Sequence, residues 1–397
     1  MTPTTPTTPT TRTTRNLSLL TAFCLLACAP AWAAGIDDAT ARRAEAALAR
    51  GVAFLKSKQG PDGAWSPKTG PAITALALTV LADHPGTRRD EPAVTKALAY
   101  VLSKKRSDGG IHEGLLDNYN TAICLSALAR FNSDPQAAQA IKEGLAYLRG
   151  IQYAGGKDEK GHDITEKHAF YGGYGYGTHG RPDGSNTQVA VQAFFDNNVE
   201  CDKDPAMKRA LLFTQRLQGI PQNTEYGHRI QPNGGAIYAT SVNKDQVGTP
   251  QSMAGEDEQG RLRTYGSMTY AMFKSYVYAR LDRNDPRVKE ALRWIADHYT
   301  FASNPGMVDD PKTPKREDLQ GYYYYLLTAA RALHAFGEPT VTDSKGDKHN
   351  WRMDLTTRLL ELQREDGSWT NEADRWLEGD PVLVTAYALL TLQQAAR

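Results

Sequence analysis

The sequence predicts an all-α protein, a closed (α/α)6 toroid with six inner helices ringed by six outer ones, and three observations lead there. First, the run RGVAFLKSKQGPDGAW, Arg50 to Trp65, ends an amphipathic helix in a turn, and LLELQREDGSW, Leu359 to Trp369, repeats it far along the chain. Each copy holds a Gln (Gln59, Gln363), an Asp-Gly pair (Asp62–Gly63, Asp366–Gly367) and a Trp. Glycine accepts the left-handed backbone that stops a helix. Second, degraded copies lie between them: SKKRSDGGI at 103–111, YGGYGYG at 171–177, PNGGAIY at 232–238 and ASNPGM at 302–307. Taking the second Gly where there are two, the turns are marked by Gly63, Gly110, Gly173, Gly235, Gly306 and Gly367, and the shortest step is 47 residues. That is the length of a helix pair with its connections, so the longer steps imply loop insertions. Third, each turn separates an amphipathic segment from a more apolar one. Apolar helices need cover on all sides, which two concentric layers supply. An open solenoid would leave them facing water on its concave surface.

Taken in order, the first 33 residues read as a leader rather than as part of the fold. A Thr/Pro-rich start charged only by Arg12 and Arg15 precedes the apolar run Leu17–Ala29 and the small-residue site Ala31-Trp32-Ala33. This pattern predicts export, to the periplasm or beyond, with cleavage after Ala33. The apolar run is too short for a retained spanning helix. A second reading takes Leu25-Leu26-Ala27-Cys28 as a lipoprotein box, which would put the protein on a membrane through Cys28. The toroid itself is expected over 36–397.

Within it, Ala41, Ala44, Leu48, Val52 and Leu55 recur at steps of three and four, which predicts an amphipathic helix over 38–58. PAITALALTVLA at 71–82 is apolar almost all round, with Pro71 suited to a first helical turn. The same alternation predicts outer helices near 90–104, 135–150, 204–218, 285–299 and 351–363. Their inner partners fall near 118–131, 185–197, 264–281, 320–336 and 380–396.

Composition narrows the function. With 46 basic and 45 acidic side chains and no long basic run, nothing points to nucleic acid or to an anionic membrane surface. Only Cys124 and Cys201 lie beyond the leader. Two cysteines cannot staple so long a chain, so they are expected unpaired and stability must come from the core.

The runs RGVAFLKSKQGPDGAW and LQREDGSW resemble the QW-type repeats of squalene-hopene cyclases and protein prenyltransferase β subunits, the terpenoid cyclase and prenyltransferase α/α-toroid superfamily. Across all six repeats the chain is similar to secreted bacterial squalene-cyclase-like proteins. The resemblance implies a toroid with an isoprenoid-like substrate class. The departures are chemical. There is no Asp-x-Asp-Asp acid string, Asp309–Asp310 being the nearest. The positions matching the zinc ligands of prenyltransferases, around Gln320-Gly321-Tyr322 and Asp380–Thr385, carry no Cys or His, and there is no Cys-Gly-Glu-Gln thioester string. His162 and His168 lack a usual ligand spacing, so neither metal nor cofactor is expected.

In such a ring every inner helix starts at one end, so six N-termini converge on one mouth, a donor-rich rim suited to an anion or a polar headgroup. Asp183 and Asp380 are the candidate acids there and Tyr322 the candidate hydroxyl donor. Asn120, Asn186, Gln188, Arg181, Arg263, Tyr265 and Tyr323 are the candidate ligand-binding residues. The competing reading of Asp and Asn at these places is plain capping. Tyr322 to Tyr325 sweep about 300° of a helix, so at least one faces the lumen and another the outer layer. The insertions 152–184 and 219–263, with His162, His168, His179 and His228, are expected to lie over the same mouth.

The function expected is an exported toroid that binds an amphipathic or anionic ligand, with its transformation left open. Two alternatives stand beside it: a polysaccharide lyase or hydrolase of toroid type, and a non-enzymatic module binding a protein or envelope component.

Overall fold

The computed structural model describes residues 1–2, 35–177, 180–308 and 316–397. Apart from its first two residues the expected leader lies outside the described residues, as do His179 and Asp309–Asp310. Among the described residues there are twelve α-helices: α1 (Asp38–Lys58), α2 (Ala72–Asp83), α3 (Pro92–Ser103), α4 (Asp117–Leu128), α5 (Pro135–Ile151) and α6 (Gly184–Asp196), then α7 (Pro205–Gln215), α8 (Gly266–Tyr278), α9 (Pro286–Asp297), α10 (Tyr322–Phe336), α11 (Trp351–Leu362) and α12 (Pro381–Ala395). One two-stranded antiparallel pair, β1 (Val341–Thr342) and β2 (Lys348–His349), is the only sheet among these residues.

The even-numbered helices form a ring, each packed on the one before and the one after, and α12 packs on α2. The ring is closed, so the open solenoid is excluded. The odd-numbered helices cover it: α3 lies on α2, α5 on α4, α7 on α6 and α9 on α8, while α11 spans α10 and α12 and α1 sits on α11 and α12. Outer helices start cleanly because Asp–Pro pairs open α5, α7 and α9. Asp134, Asp204 and Asp285 cap the free amides there, and proline fits the first turn where its missing N–H is not needed.

One set of bonds recurs at the turns. The residue after the turn donates its amide to a threonine hydroxyl of the following inner helix: Trp65 to Thr74 (2.9 Å), Ile111 to Thr121 (3.0 Å), Tyr174 to Thr187 (3.1 Å), Ala236 to Thr269 (3.0 Å) and Trp369 to Thr385 (3.1 Å). Gln59, Gln152, Gln218 and Gln363 each donate Nε2 to the carbonyl of their own turn glycine and to a carbonyl of the next outer helix. At four of the six turns an amide group thus rivets the turn to the repeat that follows. The Gln363 rivet reaches Ala47 at 2.9 Å, which ties the last turn to the first helix.

The turn glycine is the first of each pair, not the second. Gly109, Gly172 and Gly234 hold φ of 91°, 87° and 86°, matching 89° at Gly63 and 86° at Gly367. The sequence reading placed the markers one residue late at these three turns, because two adjacent glycines look alike until the backbone is known. The same glycines touch the next outer helix: a Cβ on Gly63 would lie 2.5 Å from the Lys96 carbonyl oxygen. Trp65 and Trp369 are 1 % and 0 % exposed, and each donates Nε1 to a carbonyl of its own outer helix, Leu55 (2.7 Å) and Leu359 (2.8 Å). Cys124 and Cys201 are buried free thiols.

The two insertions pack on one another. Arg181 donates Nε to the Val242 carbonyl (2.7 Å) and Nη2 to Gln251 Oε1 (2.7 Å), and Thr240 donates to the Ala169 carbonyl (2.9 Å).

Candidate functional site

The six inner helices begin at the same end, and their first amides find protein partners. Asn120, on α4, accepts from Ala72 N at the start of α2 (2.8 Å) while its Nδ2 donates to the Thr69 and Leu115 carbonyls. Asp183 caps α6 by accepting from Asn186 N (2.8 Å), and Asn304 caps α8 by accepting from Ser267 N (3.0 Å). Glu378 caps α10 from outside, accepting from Tyr324 N (2.8 Å) and Tyr323 N (3.2 Å), and Asp380 caps α12 at Val382 N (2.8 Å). At five of these helices side chains, three of them carboxylates, take first-turn amides, and at α4 the Asn118 amide meets the Tyr176 carbonyl, so the rim offers fewer free donors than expected.

Inside that ring lies a cavity of about 320 Å³ to which every inner helix contributes. Ile73 and Leu76 come from α2, Tyr119 and Ile123 from α4, Ser185 from α6, Met268 from α8, Tyr324 from α10, and Leu383 and Tyr387 from α12. The insertions add Tyr176 and Tyr238, whose hydroxyls lie 2.9 Å apart, and the loop before α12 adds Trp376, Leu377 and Glu378. Six tyrosines line the space, and no Lys, Arg or His does so among the described residues. Such a wall is apolar over its area and offers hydroxyl tips.

Its rim is apolar as well. Leu116, Tyr176, Trp376 and Leu377 all line the cavity and are also exposed, and three of them, Leu116, Trp376 and Leu377, hold left-handed φ of 50°, 58° and 67°. Non-glycine residues in that region carry strain of the order of 1–3 kcal/mol each, which clusters at ligand clamps. Arg375 lies over the Trp376 ring at 4.4 Å, and the ring covers Gly321, so the loop is braced against the start of α10.

Glu378 is the one carboxyl in this wall and it is 1 % exposed. Burial pushes it from an ordinary 4.5 up to about 7, against the backbone amides of α10 and the Asn371 Nδ2 at 2.6 Å, which favour the anion. Between 4.5 and about 7 the folded state holds more proton than the unfolded chain, so this group's contribution to stability falls as pH rises through that window and is flat above it. The stability difference between wild type and Glu378→Gln, followed by denaturation from pH 4 to pH 8, should therefore decline by roughly 3 kcal/mol at most. A difference that does not change with pH would mean that Glu378 titrates in the fold as it does in the unfolded chain.

No protein-family model and no curated protein matches the chain. Solved structures do. Unsaturated glucuronyl hydrolase from Streptococcus agalactiae aligns over 90% of this chain and 91% of its own, with a TM-score of 0.52 at 10% identity. An Asp-to-Asn variant of the type II terpene cyclase MstE from Scytonema, solved with geranylgeranyl dihydroxybenzoate, aligns over 90% of this chain and 98% of its own, with a TM-score of 0.49 at 16% identity. The fold is the α/α toroid.

Of the residues singled out in the sequence, Tyr265 lines the toroid's cavity. Gln188 sits beneath the wall, donating Nε2 to the Tyr324 hydroxyl at 2.7 Å. Tyr322 turns outward, donating to the Phe301 carbonyl and accepting from Arg358 Nε at 3.0 Å, and Tyr323 is buried against it. The lumen-facing member of the four is Tyr324. Asp183 is fully buried outside the cavity wall; burial raises its pKa, while bonds from Asn186 and the nearby Arg181 oppose that. Asn186 is bound to Asp183 and to Asn118, and Asn120 is spent between α2 and α4. Asp380 caps α12, Arg181 braces the two insertions, and the Arg263 side chain is not in the wall. Capping accounts for most of these positions, since a short polar side chain at a helix start meets its own amides first.

Glu378, Tyr324 and the loop tyrosines Tyr176 and Tyr238 are what the candidate set lacked. For Glu378 a signal exists. Asp380 already occupies the cap before Pro381, so an acid two residues earlier has no helix of its own to cap.

Proposed function

We propose that the lumen binds an uncharged, largely apolar organic molecule whose polar end meets the tyrosine hydroxyls. The observation that carries this reading is the lining: a space of about 320 Å³ walled by tyrosine and aliphatic side chains, entered past exposed Leu116, Trp376 and Leu377. An anionic ligand fits it poorly. Glu378 would repel a carboxylate, and among the described residues no cation lines the wall to pair with one. This also weighs against a uronic-acid substrate. Protonation of an alkene needs an acid much stronger than a carboxyl near 7, so Glu378 fits a polar anchor better than a general acid for that reaction.

The test uses two fluorescent probes, neutral 1-aminoanthracene and anionic 1-anilinonaphthalene-8-sulfonate. The neutral probe is expected to bind and the anionic one not. Ile123→Trp, which fills the cavity from α4, should abolish binding while leaving the thermal transition in place. Preference for the anionic probe, or neutral-probe binding that survives the filled cavity, would remove the lumen as the site.

A further inference from the structure

Lys274 lies in the middle of α8, 1 % exposed, in a helix otherwise built of apolar and small polar side chains. No carboxylate pairs with it among the described residues. Its Nζ donates instead to two amide oxygens, Gln188 Oε1 and Gln192 Oε1, the latter at 2.8 Å. The Tyr278 ring is 5.5 Å away. Burial holds the amine well below the usual lysine range, the Arg331 charge adding to this and Asp196 opposing it. A buried amine without a counter-ion is costly, and nothing in the closure of the ring requires one.

We propose that Lys274 sets the direction of a hydrogen-bond chain that ends at the cavity wall, making the Tyr119 hydroxyl a committed donor and selecting ligands that bear a hydrogen-bond acceptor, such as a ketone, ester or ether oxygen, on an apolar body. This rests on the reading of the lumen as a ligand site.

As far as Tyr324 the direction follows from what each group can offer. Gln192 is fixed first: its Nε2 donates to the Asp196 carboxylate at 2.8 Å, so its oxygen faces Lys274. The amine's other hydrogen meets Gln188 Oε1, so the Gln188 Nε2 must face away, and it donates to Tyr324 OH at 2.7 Å. The Tyr324 hydroxyl, with one lone pair filled, has Ser185 Oγ at 2.7 Å, and we assign its proton to that oxygen. With that assignment the Ser185 proton goes to Tyr119 OH. The Tyr119 proton is the last in the sequence, and outside this cluster no described side chain accepts it. Tyr119, Ser185 and Tyr324 all line the cavity. A chain of hydroxyls polarised one way presents a stronger terminal donor than a free one. A network that merely satisfied itself would end on a protein acceptor and would give the ligand no preference.

Three neutral probes of equal heavy-atom count separate these cases: nonan-2-one, which only accepts, nonan-1-ol, which does both, and n-decane, which does neither. Their partition into protein solution is read from the headspace by gas chromatography, and comparing variants cancels the different hydration of the probes. In wild type the ketone should bind with an advantage over decane, and Tyr119→Phe should reduce that advantage about tenfold, the equivalent of one hydrogen bond. Lys274→Met frees the Gln188 amide to turn and should reduce it as well while decane binding stays. Gln188→Glu is the decisive variant. The new carboxylate accepts from both Lys274 and Tyr324, so the chain reverses and Tyr119 offers lone pairs; the ketone then loses its advantage and the alcohol keeps its own.

A ketone-to-decane ratio that is the same in wild type, Tyr119→Phe and Gln188→Glu, with thermal transitions intact, overturns the relay. Equal binding of ketone and decane by wild type overturns it too but leaves the cavity reading standing. Binding of neither probe by wild type removes both. Should Gln188→Glu fail to fold, the Tyr119→Phe ratio decides alone.

Discussion

Gly172→Ala is expected to destabilise the folded protein by roughly 2–5 kcal/mol, the sum of a left-handed alanine and a steric overlap in a packed site. The residue holds φ of 87°, and its added Cβ would collide with the carbonyl oxygen of Arg209 in α7. That obstacle is backbone, which cannot swing aside as a side-chain tip can. The Gly172 carbonyl is also one of the two acceptors of the Gln152 rivet, at 2.9 Å, so a shift of the turn costs that bond as well. Gly156 supplies the control, since it holds φ of 78° with nothing within 4 Å of an added Cβ. Gly156→Ala should lose only about 1–2 kcal/mol, the conformational part alone. Equal losses in urea unfolding would show that the close approach between repeats has no energetic weight.

Trp369→Ala should cost about 3–5 kcal/mol, as should Trp65→Ala, the range for truncating a buried large aromatic. Trp369 is fully buried, its ring packs over Gly51 of α1, and the indole N–H that satisfies the Leu359 carbonyl at 2.8 Å disappears with it. The cavity left behind would open at the seam where α12 meets α1. Trp369→Phe should show part of that loss, since it keeps a six-membered aromatic ring but drops the N–H and the rest of the five-membered ring. A cost below about 1 kcal/mol at both tryptophans would make the turns incidental to stability.

Fold and site were not equally legible. The repeat announced itself because a turn is local chemistry: Gln59, Gly63 and Trp65 lie within seven residues and return as Gln363, Gly367 and Trp369. Closure was legible too, since inner helices apolar on every face leave few other arrangements. The site depended on rotational phase, which sequence does not carry. Four consecutive tyrosines guarantee one in the lumen, yet whether it is Tyr322 or Tyr324 turns on about 200° of helix. Polar residues at helix starts misled for a physical reason, because a cap and a ligand-binding group have the same chemistry and the cap is nearer. Glu378 caps a helix other than the one it precedes, a relation that exists only after folding. Lys274 was the one deep clue in plain view, a single charge in the run Gly266–Tyr278 whose every other member is neutral.

The seam between the first and last helices also governs when the protein can become itself. The Gln363 side chain meets Ala47 across 316 residues, and that of Gln393 meets Val80 across 313. In an open array each new repeat settles on the one already made, and partial products are shorter versions of the final object. Here α1 and α2 emerge first and wait for partners that are made last, with the flank of α2 bare until α12 arrives. Contacts this distant along the chain slow folding and lengthen the time that apolar surface stays open to other chains. A chain cut anywhere before Pro381 is therefore not a smaller toroid but a ring with two sticky ends, and assembly of the lumen is a terminal event rather than a gradual one.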